Sequence, residues 1–339
     1  LILLMVVIVS LGLLTTGGQK YYAEMEYVKG VRAFSEGNVE EAVNKIASAA
    51  NLNPAVDLYW RDLAQLFLAR ANQVASDQSL SADVQQQEVG AAVNNAIASS
   101  RRAVETNPAN VANWNMQGFV YRNFISVPGA EKFAIQSYEK ARQLEPASPF
   151  PWTELGRVKI LHEQVLTGQE GRSSATEALL ASAIEDLEKA ISLKGDYAPA
   201  HYLSAVAQER QGNQAQAIKK LEETKLVAPN DIGLAFQLGV MYFREEEFGK
   251  AREEFERAKQ LNPDYSNARY MLGLVYDRLG RVENAKREFA AVSALNPENQ
   301  EVKDILANLA AGLPALSGID QPSQPPISEN PPELEKEAE

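Results

Sequence analysis

The sequence predicts an all-α fold, built as a solenoid of paired helices. Three prolines, Pro229, Pro263 and Pro297, stand 34 residues apart, and small and large residues recur at fixed positions between them. A fixed period of this length is typical of arrays in which each helical unit packs on the next. The composition agrees, because 23% of the residues are charged and alanine, leucine, glutamate and glutamine are plentiful, as helices favour.

Each unit is predicted to be two antiparallel helices joined by a short turn. The recurring positions hold a leucine–glycine pair, a tyrosine, an alanine and a large apolar residue, as at Leu238-Gly239, Leu272-Gly273, Tyr242, Tyr276, Ala217, Ala251, Ala285, Leu221, Phe255 and Phe289. Small residues let two helices approach closely, and large ones fill the space beside them. Proline then ends the second helix, because it has no N–H to continue the hydrogen bonding.

This pattern closely resembles the tetratricopeptide repeat (TPR), a family of 34-residue helix–turn–helix units. The resemblance implies a right-handed superhelix and a general role as a scaffold that binds other molecules. All three tryptophans, Trp60, Trp114 and Trp152, fall at the fourth position of a repeat, where the family most often has tryptophan. The prolines and small residues define the register without the tryptophans, so the tryptophan positions support it independently.

Extending this register predicts seven repeats within residues 19–299. They span residues 23–56, 57–110, 111–148, 149–197, 198–231, 232–265 and 266–299. Residues 300–312 are predicted to form a capping helix that covers the apolar face of the last repeat. Insertions near residues 72–88, 124–129 and 163–177 are expected to emerge as loops on one side, either at a binding face or as tolerated surface elaboration.

Residues 1–18 are predicted to form a transmembrane helix. The run from Leu1 to Leu14 is uncharged and almost wholly apolar, but at 1.5 Å per residue it spans only about 21 Å of a hydrocarbon layer about 30 Å thick. Because the chain begins with leucine, we expect this helix to be truncated. Lys20, Tyr21 and Tyr22 would anchor it at the water interface. A signal-peptide core and a buried helix are the alternatives.

Residues 313–339 are predicted to form a disordered tail. The segment contains six prolines and ends in acidic charge from Glu333 to Glu339, so it cannot bury enough apolar surface to offset its ordering entropy. Two short stretches, residues 324–327 and 330–333, have the composition of polyproline II ligands for a partner. A plain solvated tail is the alternative.

Several function classes are disfavoured by the sequence. The net charge of −12 argues against nucleic-acid binding, which needs a basic face. There is no cysteine, and the two histidines, His162 and His201, have no neighbouring ligand set for a metal. No glycine-rich phosphate loop follows a strand. We therefore expect no catalysis, no metal and no cofactor.

The candidate site is the concave groove that the TPR resemblance implies. In that family, positions 2, 5, 9, 12 and 13 of each repeat point into the groove. In the last three repeats, position five holds Tyr202, Phe236 and Tyr270, and position thirteen holds Arg210, Arg244 and Arg278. An aromatic ladder beside an arginine ladder suits an extended peptide with apolar and acidic groups. Alternatively, each arginine pairs with a neighbouring Glu209, Glu245 or Asp277 and only solubilises the groove.

One TPR subtype, the carboxylate clamp, grips a C-terminal carboxylate with lysine and asparagine at positions five and nine. Here those positions carry aromatic residues and Val206, Val240 and Leu274. The resemblance therefore does not extend to cochaperones that bind chaperone tails.

The sequence as a whole indicates a membrane-tethered scaffold of bacterial type that binds a protein or peptide partner. An apolar helix leading through Tyr21–Tyr27 into a helical array also resembles the C-terminal part of multi-span O-antigen ligase/polymerase-like proteins. That resemblance implies an accessory domain of a glycan-transfer enzyme whose catalytic part is missing from this chain. The competing class is a stand-alone assembly factor with one anchor, serving pilus, secretion or envelope complexes.

The expected location is the bacterial inner membrane, to which the N-terminal helix would bind through the lipid bilayer. Lys20 and Lys29 are balanced by Glu24 and Glu26, whereas cytoplasmic flanks are usually richer in lysine and arginine. This charge balance favours a repeat domain that faces outward.

Overall fold

The computed structural model describes residues 2–77 and 79–319, with side chains from residue 17 onward, and its regular structure is entirely α-helical. The described helices are α1 (Ile2–Ser35), α2 (Val39–Leu52), α3 (Asp57–Ser76), α4 (Ala82–Thr106), α5 (Val111–Asn123), α6 (Ala130–Leu144), α7 (Pro149–Glu170), α8 (Ser174–Leu193), α9 (Ala198–Arg210), α10 (Gln214–Val227), α11 (Ile232–Arg244), α12 (Phe248–Leu261), α13 (Ser266–Arg278), α14 (Val282–Leu295) and α15 (Gln300–Ala310). No strand occurs in these residues, so the predicted all-α class is confirmed.

The chain divides into two compact units, Leu1–Leu179 and Leu180–Glu339. In the first unit, α1 packs on α2, α3 on α4 and α5 on α6, and each pair contacts the next through its second helix. In the second unit, α9 packs on α10, α11 on α12 and α13 on α14 in the same way, and α15 packs on α14. Each unit is therefore a stack of helix pairs.

A large side chain on the second helix of a pair faces a glycine on the first. A Cβ atom added at Gly239 would lie 2.6 Å from the ring of Phe255, and one added at Gly273 would lie 2.7 Å from the ring of Phe289. Both rings are fully buried. The facing ring thus requires glycine at this position, because a Cβ atom would overlap the ring and force it to move.

Two of the three insertions lengthen helices and do not form the expected loops. Helix α3 continues to Ser76 and α4 begins at Ala82, and α7 continues to Glu170 before α8 begins at Ser174. Their sequences are rich in good helix formers, and the side-chain amide of Gln85 donates to the carbonyls of Val74 (3.1 Å) and Ala75 (2.8 Å) at the end of α3. Only residues 124–129 form a turn as predicted.

Helix α1 joins the predicted membrane segment to the first helix of the first pair without a break. In the part of the chain whose side chains are described, no helix is long and apolar enough to cross a bilayer. The predicted transmembrane segment, residues 1–18, falls almost entirely outside that part. It therefore stays a prediction.

The first residues of the predicted disordered tail are packed against the second unit. Ala315 is fully buried, and its N–H donates to Oδ2 of Asp277 at 3.0 Å. The side-chain amide of Asn308 donates to the carbonyls of Ala315 (3.0 Å) and Ser317 (2.8 Å). Residues 313–319 thus differ from the prediction of a disordered tail, because the side chains of Asp277 and Asn308 form hydrogen bonds with their backbone N–H and carbonyl groups. The rest of the tail, including both proline-rich stretches, lies outside the described residues.

Candidate functional site

The predicted groove residues lie on the first helices of three successive pairs in the second unit, α9, α11 and α13. On α11, Val240, Phe243 and Arg244 lie four, seven and eight residues after Phe236. Residues at these spacings share one face of a helix. The same face of α9 carries Tyr202, Val206, Glu209 and Arg210, and that of α13 carries Tyr270, Leu274, Asp277 and Arg278.

The predicted aromatic ladder is largely part of the core. Phe236 is 7% exposed, and its ring centroid lies 5.7 Å from that of Phe255 and 5.3 Å from that of Tyr265. Tyr270 is fully buried, with its ring edge-on to Phe289. These two side chains do not offer their faces to a ligand, because they fill the space between paired helices. Tyr202 is half-buried and remains at the surface.

The last predicted repeat is further covered by the capping helix. The hydroxyl of Tyr270 donates to Oε1 of Glu301 on α15 at 2.5 Å, and burial followed by this carboxylate raises the pKa of Tyr270. Leu274 on the same face is also buried. The open part of the candidate groove is therefore carried mainly by α9 and α11.

The arginine ladder keeps its charge at the surface. Arg244 and Arg278 are exposed, and Arg210 is half-buried. Arg244 forms an ion pair with Glu209 of the preceding pair, which is the solubilising arrangement weighed as the alternative. All three arginines lie in the last turn of their helix, where a cation is also favoured by the helix dipole.

Between the arginines and the core lies an apolar strip formed by half-buried Val206, Val240 and Phe243. The ring of Phe243 is edge-on to that of Phe248 at 5.5 Å. Phe243 was not among the predicted site residues, although its position, twelve, is one that the TPR resemblance assigns to the groove. The strip and the exposed arginines can together contact apolar and acidic groups of a ligand.

His201 forms a hydrogen bond with the backbone and lies in no metal site of the part of the chain that the structure describes. Nε2 of His201 lies 2.8 Å from the carbonyl of Gly195, in the turn before its own helix, and the ring is 6% exposed. Within the described residues, no three His, Asp or Glu side chains converge in a way that would hold a metal ion.

The described helices define a protein of stacked helix pairs. Residues 242–309 match the family model of the tetratricopeptide repeat, as the sequence pattern of this part of the chain predicts. No curated protein matches the chain.

Solved structures of similar fold include two tetratricopeptide repeat proteins. A tetratricopeptide repeat protein from Parabacteroides merdae has a TM-score of 0.50 and 14% identity, covering 86% of this chain and 99% of its own. YrrB, a TPR protein with an unusual peptide-binding site, has a TM-score of 0.43 and 19% identity over 63% of this chain and 98% of its own. Pseudomonas aeruginosa pilF has a TM-score of 0.46 and 16% identity over 73% and 99%. At 14% identity, the first of these shows the fold alone.

Proposed function

We propose that this chain is a non-catalytic, membrane-tethered TPR scaffold that binds an extended, partly acidic peptide across α9, α11 and α13. The carrying observation is the half-buried strip of Val206, Val240 and Phe243 beside exposed Arg244 and Arg278. An extended peptide buries apolar side chains on the strip, while its carboxylates form charge-assisted hydrogen bonds with the guanidinium groups. The ion pair between Arg244 and Glu209 is exposed and exchanges with a ligand at little cost.

The tether in this proposal is the N-terminal part of α1. The apolar run continues into the first helix pair as one helix, and Tyr21 and Tyr22 are 66% and 61% exposed. Exposed tyrosines beside an apolar segment suit the water interface of a bilayer. The proposed location is a bacterial inner membrane with the repeats facing outward, in keeping with the balanced charges around Lys20.

The groove is tested by replacing Arg210, Arg244 and Arg278 together with alanine. The probes are fluorescent octapeptides of alternating leucine and glutamate, or of alternating leucine and lysine. We expect wild type to prefer the glutamate peptide by about tenfold or more, and the variant to lose both this preference and its salt dependence. Folding should be nearly unchanged, because exposed charges contribute little to stability.

A matched control replaces three cations of the same unit outside the groove, Lys250, Arg281 and Arg287, with alanine. It changes the net charge equally and should keep the preference for the glutamate peptide. Equal affinity of the groove variant and wild type at low salt would show that the arginines are only solubilising surface.

A further inference from the structure

Neighbouring helix pairs in the second unit are joined by two recurring bridges. In the Tyr–Glu bridge, a tyrosine of one repeat donates to a glutamate of the preceding second helix, as Tyr276 does to Glu256 at 2.6 Å. Burial and this carboxylate raise the pKa of Tyr276 to about 12, so the hydroxyl stays a donor at neutral pH. Tyr242 and Glu222 form the same bridge one repeat earlier.

The second recurring contact, the Lys–Glu bridge, joins the second helices directly. Nζ of Lys225 on α10 lies 2.6 Å from Oε1 of Glu254 on α12. Nζ of Lys259 on α12 lies 2.8 Å from Oε1 of Glu288 on α14. Glu254 and Glu288 are buried, so these bridges close the space between successive second helices.

Both bridges are absent between α2 and the next helix pair, α3 and α4, in the first unit. At the positions of the Tyr–Glu bridge, Phe67 stands in place of the tyrosine and Ala47 in place of the glutamate. At those of the Lys–Glu bridge, Ala50 stands in place of the lysine and Ser99 in place of the glutamate. Phenylalanine has no hydroxyl, and alanine and serine are too short to reach across. The space that the bridges close elsewhere is therefore left open.

A cavity of about 400 Å³ lies at this place. It is lined by Ala47 of α2, by Trp60, Leu63 and Phe67 of α3, and by Ser99 of α4, among others. Trp60 and Phe67 are half-buried and Leu63 is buried, so the lining is largely apolar and aromatic. A cavity of this size and lining can bury one large apolar side chain.

The polar part of the lining carries one cation and no carboxylate. Arg102 lies over the ring of Trp60, 5.9 Å from its centroid, and Asn51, Asn95 and Ser99 are the other polar residues of the lining. Nη1 of Arg102 is 3.3 Å from Oε2 of Glu105, in a pair whose side chains are 52% and 54% exposed. Such an exposed pair contributes little and gives way to a competing carboxylate.

A second cavity of about 290 Å³ shares Arg102 with the first and is also lined by Pro54, Ala55, Glu105 and Thr106. Arg102 thus lines both cavities, and Glu105, its partner in the exposed ion pair, lines the second one. Asparagine side chains offer both a donor and an acceptor, which match the two groups of a peptide bond. Two cavities that share one cation, the first of them largely apolar, suit a peptide better than a compact ligand.

We propose that the space between α2 and α4 is a second binding site, for an extended peptide with a large apolar residue followed by an acidic one. The apolar side chain enters the cavity beside Trp60 and Phe67, and the carboxylate binds Arg102. This site is separate from the face of α9, α11 and α13 and does not depend on the proposed groove.

The probe is a blocked hexapeptide with phenylalanine followed by glutamate in a glycine–serine background. Binding is followed by the NMR signal of the Trp60 indole N–H, which donates to the carbonyl of Pro54 at 2.9 Å. We expect a saturable shift of this signal at millimolar peptide, with the signals of Trp114 and Trp152 unmoved. Replacing the peptide's phenylalanine with alanine, or its glutamate with lysine, should weaken binding by about tenfold or more.

The deciding variant, Ala47→Glu with Phe67→Tyr, rebuilds the chain's own Tyr–Glu bridge across the cavity. It should fold, with an unchanged or higher melting temperature, and lose the shift of the Trp60 signal on adding peptide. The control, Ala290→Glu with Phe133→Tyr, makes the same substitutions at exposed positions and should bind as wild type does. If the rebuilt variant does not fold, Arg102→Ala replaces it and should weaken binding of the glutamate probe only.

Absence of a saturable shift, or equal binding of the glutamate and lysine probes, would overturn the proposal. The Arg210, Arg244 and Arg278 triple variant should bind this probe as wild type does. Loss of binding in that variant would assign the probe to the groove and also overturn the second site.

Discussion

In four repeats, the side chain at position four forms a hydrogen bond between the turn before the repeat and its first helix. The indole N–H groups of Trp60 and Trp114 donate to the carbonyls of Pro54 (2.9 Å) and Pro108 (2.8 Å). Where tryptophan is absent, Nε of Arg269 donates to the carbonyl of Pro263 at 2.6 Å, and His201 makes the equivalent contact. What these residues share is an N–H donor that reaches back six residues, and this hydrogen bond satisfies a carbonyl left free at a helix end.

The residue scale also holds a strained position, Glu246, in the turn between α11 and α12. Its φ is 58°, while the equivalent residues of neighbouring repeats are Gly212 and Gly280, with φ of 85° and 69°. A left-handed backbone costs a non-glycine residue about 1–2 kcal/mol. We expect Glu246→Gly to raise the free energy of unfolding by about 1 kcal/mol, after the greater freedom of glycine in the unfolded chain is subtracted.

Urea denaturation followed by circular dichroism measures this change. The reverse substitution, Gly280→Ala, is the control and should shift the urea midpoint downward. A lower midpoint for Glu246→Gly would mean that the Glu246 side chain stabilises the turn by more than its backbone strain costs.

At the scale of one helix pair, the contact between Gly239 and Phe255 predicts a coupled pair of substitutions. Gly239→Ala should destabilise the protein by about 1–3 kcal/mol, because the new methyl group overlaps a buried ring. Adding Phe255→Leu should recover part of this loss, since the preceding repeat places buried Ala205 and Leu221 at the same two positions. Thermal or urea unfolding of the single and double variants gives the coupling energy.

Gly249→Ala in α12 is the matched control for helix propensity. A Cβ added there meets no atom within 4 Å, so alanine should be neutral or stabilise the helix by up to about 1 kcal/mol. Additive effects of Gly239→Ala and Phe255→Leu would contradict the proposed steric cause.

Helices were predictable from the sequence where the 34-residue pattern is regular, and less so elsewhere. The pattern around Pro229 and Pro263 predicted an all-α fold because each break and each small residue has a local cause. It did not predict that the insertion at residues 72–88 would extend α3 and α4, since loop and helix differ there only by modest propensities. Nor did it predict that Phe236 and Tyr270 are buried. A residue's position in the repeat indicates which face of the helix it lies on, but not how far neighbouring helices bury its side chain.

The candidate sites show the same limit. The arginines were identified by their spacing, which is a property of one helix. The cavity beside Trp60 was not identified from the sequence, because it results from the missing Tyr–Glu bridge at Ala47 and Phe67, which belong to two different repeats. Comparing each repeat with its bridged neighbours is the signal that would have found it.

At the scale of the whole molecule, the proposed tether predicts how the chain divides between water and lipid. The chain from Leu1 to Glu339 should float with phospholipid vesicles in a density gradient, whereas a chain that begins at Lys20 should remain in the aqueous fraction. The reason is the apolar area of residues 1–14, which favours hydrocarbon over water. Equal distribution of the two chains would count against the tether, and circular dichroism of both checks that the repeats remain folded.

The unbroken course of α1 has a mechanical consequence for a tethered array. With no flexible loop between the apolar run and the first pair, each residue added or removed near Lys20 would turn the first pair by about 100° around the helix axis and move it by about 1.5 Å along that axis. The number of residues between the apolar run and the first pair would then determine the direction in which the first repeats face in the membrane plane. Deleting one residue there should redirect the first unit without altering any contact inside it, which crosslinking to a neighbouring membrane protein would detect.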